Sequence, residues 1–121
     1  MSKQIQIQAF NAKFIQLLDF FAKKFPSDRE ISYALTQMDS AVTLTPKLPA
    51  LHFMKEIFPY IDHLYERNED FLLELKQSKY ADVLGHLSLD EKWKLMSETD
   101  REYFWSTTKS LHRLGEKIMD L

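Results

Sequence analysis

The 121-residue chain has no cysteine, two glycines and four prolines, and each shortage removes a class of function. Without cysteine there is no disulfide scaffold, no thiol nucleophile and no thiolate-ligated metal centre. With only Gly85 and Gly115, there is no Gly-rich loop to cradle a phosphate and no run of primed hairpin turns. Long apolar runs are missing too: nothing approaches the ~20 residues needed to span a bilayer. The amino-terminal stretch through Phe14 mixes Gln and Lys with its apolar residues, so it lacks the continuous apolar core of a secretory signal. These absences predict a protein of the cell interior, neither secreted nor inserted in a membrane.

What is present is apolar and aromatic. Hydrophobic residues make up 45% of the chain and aromatics 13%, too many for a disordered polymer and enough for one core at 14.4 kDa. From Ile5 to Lys24, the positions Ile7, Phe10, Phe14, Leu17, Leu18 and Phe21 recur at three- and four-residue steps, which predicts a long first helix stopped by Phe25-Pro26. Ser27 with Glu30 has the form of a capping box for a second helix, with Ile31, Leu35, Met38 and Val42 as its stripe. A connector holding Pro46 and Pro49 leads to a third helix with Leu51, Met54, Ile57, Phe58, Ile61, Leu64 and Tyr65. Pro59 cannot donate to the carbonyl of Lys55, so this helix should kink or break near Glu56.

Asn68 opens a short fourth helix carrying Phe71, Leu72 and Leu75, with a further turn or two expected between Lys79 and Leu84, and Gly85 suits a left-handed C-terminal cap. Ser88 with Glu91 repeats the capping pattern for a short fifth helix, and Ser97 with Asp100 opens the last. That final helix runs from about Glu98 to near the end, with Phe104, Trp105, Thr108, Leu111, Leu114 and Ile118 on its inner side and Gly115 as a point of close helix approach or tolerated fraying. The expected fold is therefore all-α: one domain over residues 1–121, five or six helices, with long first and last helices packed on a Pro-kinked centre.

Few groups suggest chemistry. His63 with Glu66 and His112 with Glu116 stand at helical spacing, but neither pair has a third ligand in view, and surface hydrogen bonding accounts for both. Asp62, Glu66, Glu69, Asp70 and Glu74 form an acidic run that suits a solvated helix face, with an acidic docking face as the functional alternative. We therefore assign no catalytic residue, metal ligand, cofactor or small-molecule substrate. Lys3, Lys13, Lys23 and Lys24 face only Asp19 in the first helix, so the charge is +3 through residue 25 against −5 beyond it. This basic helix, with Lys92 and Lys94, supports weak nucleic-acid binding as the second functional reading.

The aromatics are the most unusual feature. Phe20 beside Phe21, and Phe104 beside Trp105, point about 100° apart around a helix, so not all can share one buried side. Either both long helices are contacted from two sides, or some rings are exposed and mark a contact surface for a protein partner or a second copy. Phe20, Phe53, Tyr60, Tyr103 and Trp105 are the candidates for that surface.

Phe58-Pro59-Tyr60, then Asn68-Glu69-Asp70-Phe71-Leu72, then Leu89, Trp93, Leu95, Ser97, Phe104-Trp105 and Leu111 form an ordered series along the chain. Together with the opening Phe10-Asn11-Ala12-Lys13-Phe14 and Phe25-Pro26-Ser27-Asp28, the series resembles small, uncharacterised helical proteins encoded by nucleocytoplasmic large DNA viruses, including algal and giant viruses. The resemblance spans nearly the whole chain and implies a viral setting: the interior of a host cell, in its cytoplasm or viral factory, or the virion. It supplies no catalytic residues. The function expected is a non-enzymatic interaction or assembly module that presents aromatic-rich helix faces.

Overall fold

A computed structural model describes residues 3–77 and 84–120. In chain order these residues form α1 (Lys3–Lys24), α2 (Arg29–Leu44), α3 (Leu48–Ile57), α4 (Ile61–Glu66), α5 (Asp70–Gln77), α6 (Leu89–Trp93) and α7 (Glu98–Met119). Short 3-10 turns stand at Phe58–Tyr60 and Gly85–Leu87. Among the described residues there is no strand, and with α3 and α4 taken as one kinked rod the bundle has six helical elements. The turn expected between Lys79 and Leu84 lies, up to residue 83, outside the described residues, as does Tyr80.

The long helices α1 and α7 lie antiparallel and form the centre. At one end Lys3 Nζ donates to the Ile118 carbonyl at 3.1 Å and pairs with Asp120; at the other, Lys24 Nζ lies 2.6 Å from Asp100. Between the ends, Phe21 meets Phe104 with ring centroids 6.3 Å apart. Two further groups of helices complete the enclosure. α2 and α3 pack on α1, while α3 and α4 pack on α7. This two-sided cover explains the adjacent aromatics of α7: Phe104 turns to Phe21, and Trp105 turns to Phe71 of α5 at 5.8 Å. Phe10, Phe21, Phe53, Phe71 and Phe104 are all fully buried, each worth roughly 1.5–3 kcal/mol of apolar burial.

Local signals held where side-chain chemistry dictates the cap. Ser97 accepts from the Asp100 N–H at 3.1 Å and Asp100 accepts from the Ser97 N–H at 3.0 Å, closing the expected box. Pro49 sits in the first turn of α3, where its missing N–H costs nothing. Elsewhere the caps move. Asp28, not Ser27, caps α2, its Oδ1 accepting from the Ile31 N–H at 3.1 Å. Ser88 makes no side-chain cap to α6, because its own φ of 52° places it in the left-handed region. Gly85 does not adopt positive φ and instead begins a 3-10 turn. The break caused by Pro59 falls at Phe58–Tyr60, just beyond Glu56, which remains helical.

Two buried charges tie distant segments to this frame. The Glu56 carboxylate is 1% exposed and accepts from the Leu84 N–H at 2.7 Å and the Gly85 N–H at 3.1 Å, so α3 supplies acceptors to the start of the second 3-10 turn. Lys92 of α6 is also buried; its Nζ donates to the Leu87 carbonyl and lies 2.7 Å from Asp28 and 5.8 Å from the centre of the Phe25 ring. Burial pushes the Asp28 carboxyl up, but the Lys92 ammonium and the Ile31 N–H outweigh it and hold the group below its ordinary range. Removing either partner would strand a charge, which is the costly way to break such a pair.

Gly115 lies where α7 meets α3. A Cβ placed there would come within 2.3 Å of Met54 Sδ and 2.7 Å of its Cγ, so the expected close approach is present. Alanine in an exposed helix would gain about 1 kcal/mol over glycine, whereas crowding a packed core costs about 1–3 kcal/mol. Gly115→Ala should therefore lower the urea midpoint, and the sign should reverse in a Met54→Ala background, where the added methyl fills vacated space. Denaturation of the four proteins of this cycle checks both signs.

Candidate interaction surface

The five aromatics expected at a partner surface do not share one face. Phe53 is fully buried against Phe10 and Phe14, with ring centroids at 5.6 Å and 6.2 Å, and Trp105 is buried between Trp93 and Phe71. Neither can touch a partner, because α3 and α7 need those rings to fill the core. Phe20 and Tyr103 are half-buried and cover each other at 4.7 Å where α1 meets α7, while Tyr60 is half-buried on Phe71 at 6.2 Å.

The exposed ring is Phe58, one of the apolar positions that marked the third helix. Phe58 is 71% exposed, and Leu51 and Tyr65 are exposed on the same kinked rod. These three stand seven residues apart, each one position past a buried residue: Ala50, Ile57 and Leu64. Seven residues make nearly two helical turns, so the buried series and the exposed series run side by side. Over its three residues the 3-10 turn adds roughly 60° of rotation, partly offset by the roughly 20° lag of a seven-residue step, so Tyr65 stays within roughly 40° of Phe58 around the rod. Tyr65 is anchored on its α7 side, with its hydroxyl 2.7 Å from His112 Nδ1 and Lys109 Nζ 5.9 Å from its ring centre. Lys55 and Asp62 are exposed between the three apolar positions.

The lysines expected to contact nucleic acid are divided. Lys3 and Lys24 hold the acids at the two ends of α7, and Lys92 is buried on Asp28, so these three do not form a free basic face. Lys13 is half-buried; Lys23 and Lys94 are exposed. Half of the basic charge of the first helix is thus answered within the molecule. The Lys24 ammonium, with the Ser97 N–H, holds the Asp100 carboxyl below its ordinary range.

The acidic run is similarly dispersed. Glu69 accepts from Trp93 Nε1 at 2.7 Å and lies 3.8 Å from Arg101, whose guanidinium also donates to the Trp93 carbonyl. Arg67 forms a two-point pair with Glu102 of α7. His63 faces Glu74 at 3.6 Å, not Glu66 as its spacing suggested, while His112 faces Glu116 at 3.6 Å. Among the described residues, no group of three or more His, Asp or Glu is placed to hold a metal ion.

An open groove of about 860 Å³ runs between α1, α2 and the start of α3, lined by Phe14, Leu18, Tyr33, Met38, Leu48 and His52 among others. Its walls are mainly apolar, and Tyr33 at its rim is 67% exposed. A second, of about 630 Å³, lies between α1 and the connector that follows α2; there Asn11 Nδ2 donates to the Pro46 carbonyl at 2.9 Å and pins the connector. No family model, no curated protein and no solved structure matches the chain.

His112 provides a readout of the α4–α7 contact. Burial pushes its imidazole below the ordinary histidine range, outweighing the opposing pull of Glu116. The unfolded chain therefore binds this proton more readily than the folded one, and the contribution to stability is complete above the unfolded value of about 6.5 and lost as pH falls below it. The urea midpoint should fall between about pH 7.5 and about pH 5.5, and His112→Gln should make that fall smaller. An unchanged fall in the variant would place the titration elsewhere.

Proposed function

We propose that this chain is a non-enzymatic interaction or assembly module that works by protein contact, in the interior of an infected host cell or in the virion. The viral setting rests on the sequence resemblance. The contact reading rests on one observation: Phe58 projects 71% of its surface to solvent within a stripe that also carries Leu51 and Tyr65. Isolated apolar side chains are ordinary on protein surfaces, and Tyr33, Leu44 and Leu95 need no other account. A phenyl ring in line with two further apolar neighbours is different, because covering all three together gains burial that none obtains in the monomer. None of the described helices is long and apolar enough to cross a membrane, so bilayer insertion does not account for the stripe.

The non-enzymatic part of the reading is supported by how the polar groups are used. Glu56, Glu69, His112 and Lys92 each bond across elements and serve packing. Nucleic-acid binding lacks comparable support, since Lys3, Lys24 and Lys92 already hold internal acids.

A photo-cross-linking amino acid placed at Phe58, with Ser40 on the exposed side of α2 as the control position, tests the reading in producing cells. Discrete protein adducts from position 58 and none from position 40 are expected. Nucleic-acid adducts alone, or no difference between the positions, would overturn it.

A further inference from the structure

We propose that His112 is a proton-operated catch on the α3–α4 face: neutral, its Nδ1 holds the Tyr65 hydroxyl, and protonated, it turns to Glu116 and releases the ring. The proposal rests on the contact reading above and names the regulation of that same face. Leu51 and Phe58 carry no polar side-chain atom, so Tyr65 is where the stripe can be held by a group that titrates.

His112 is 5% exposed, and the Tyr65 oxygen lies 2.7 Å from its Nδ1. The two rings meet edge to face, with centroids 5.4 Å apart and planes at 77°. A phenol O–H donates readily to a bare imidazole nitrogen, so the neutral ring accepts at Nδ1 and carries its own hydrogen on Nε2. The Glu116 carboxylate stands 3.6 Å from the same Nδ1, too far for a hydrogen bond yet near enough to take one after a small rotation of the ring. A proton added at Nδ1 occupies the lone pair that the phenol used. The new N–H is cationic, and a carboxylate accepts from it more strongly than a phenol oxygen does. Tyr65 keeps its own hydrogen, loses its acceptor and retains the Lys109 ammonium, 5.9 Å from its ring centre.

The charged groups around the imidazole set the direction. Burial of the ring opposes the proton most, Glu116 draws it and Arg113 opposes it. From α4 the facing group is Tyr65; Asp62 and Glu66 lie exposed, and His63 faces Glu74. α3 meets this part of α7 through Met54, and its Glu56 is engaged by the Leu84 and Gly85 N–H groups. From α1, Lys3 is committed to Ile118 and Asp120. Release therefore falls below the ordinary histidine value of about 6.5: the catch is closed at about pH 7.5 and opens as pH drops. A held Tyr65 enters a contact already ordered, whereas a released one must be ordered by the partner, which weakens the contact roughly 2- to 10-fold.

Two measurements on the full chain test the catch. In the first, imidazole nitrogen shifts and Tyr65 ring-proton shifts are followed between about pH 7.5 and about pH 5. Nδ1 should start as a bare acceptor and gain its proton with a midpoint below about 6.5, and the Tyr65 signals should move with the same midpoint while helical circular dichroism stays constant. Glu116→Gln should lower both midpoints together, since the group that draws the proton is gone. In the second, the photo-cross-linking amino acid at position 58 reports the contact in lysate of producing cells at about pH 7.5 and about pH 5.5, and the adduct yield should fall at least ~2-fold at the lower pH. Tyr65→Phe, which keeps the ring and removes the hydroxyl, and His112→Gln should each give equal yields at both.

A neutral imidazole protonated at Nδ1, Tyr65 signals that do not follow His112, or loss of helix over the same range would overturn the catch and leave the contact reading standing. So would a yield that does not change with pH, or one that changes equally in Tyr65→Phe. Absence of adducts at both pH values would remove the contact reading, and the regulation with it, even where Tyr65 titrates with His112.

Discussion

The antiparallel seating of α1 on α7 is the constraint on which the remaining structure depends. Two helices of 22 residues each, joined at one end by Lys3 with Ile118 and Asp120 and at the other by Lys24 with Asp100, fix the length and direction of the bundle. The exposed Lys3–Asp120 pair adds little energy and the Lys24–Asp100 pair is only partly covered, yet they match the two helices end to end, while Phe21 and Phe104 provide the burial between them. Once this pair is set, α2 has only one flank of α1 to occupy, and the rod formed by α3 and α4 crosses both long helices. Glu56 and Gly115 belong to that crossing: the first supplies acceptors to the turn at Leu84 and Gly85, and the second lets α3 approach α7.

The same constraint decides which groups remain for contact with other molecules. A core that uses Phe53 and Trp105 removes them from the surface, and two acids at the ends of α7 engage half of the four lysines in the first helix. The rod lies on the outside of the bundle with one face inward. Its inward series at Ala50, Ile57 and Leu64 is satisfied, and the adjacent series at Leu51, Phe58 and Tyr65 is left in water. The proposed function follows from this leftover apolar stripe.

Helix positions were legible in the sequence because the apolar repeats of α1 and α7 are long, and because Pro26, Pro49 and the Ser97–Asp100 pair punctuate them with local chemistry. The caps that moved involve tertiary competition. Asp28 serves α2 because Lys92 draws it inward, and Ser88 gives up its cap because the chain reverses through a left-handed conformation at that residue. Exposure was harder to read. Phe58 and Phe53 are the same residue type on one rod, roughly 140° apart around it, and only the placement of α1 against Phe53 separates the buried ring from the exposed one. The seven-residue spacing of Leu51, Phe58 and Tyr65 was visible in the sequence, but an apolar heptad beside another apolar heptad reads as one wide buried face until its neighbours are placed. Glu56 gave no sequence signal, since its partners are backbone N–H groups 28 and 29 residues away.

The proposed contact face is the outer side of the α3–α4 rod. Amide proton–nitrogen correlation spectra of the isotope-labelled chain, recorded in lysate of producing cells and in buffer, test it residue by residue without any substitution. The account predicts shifts or broadening confined to residues 51–66 and the adjoining surface of α7 near Lys109, with the amides around Phe53, Phe104 and Trp105 in the core unmoved. Changes centred on α2, at Tyr33 and Leu44, or spectra identical in lysate and in buffer, would contradict it.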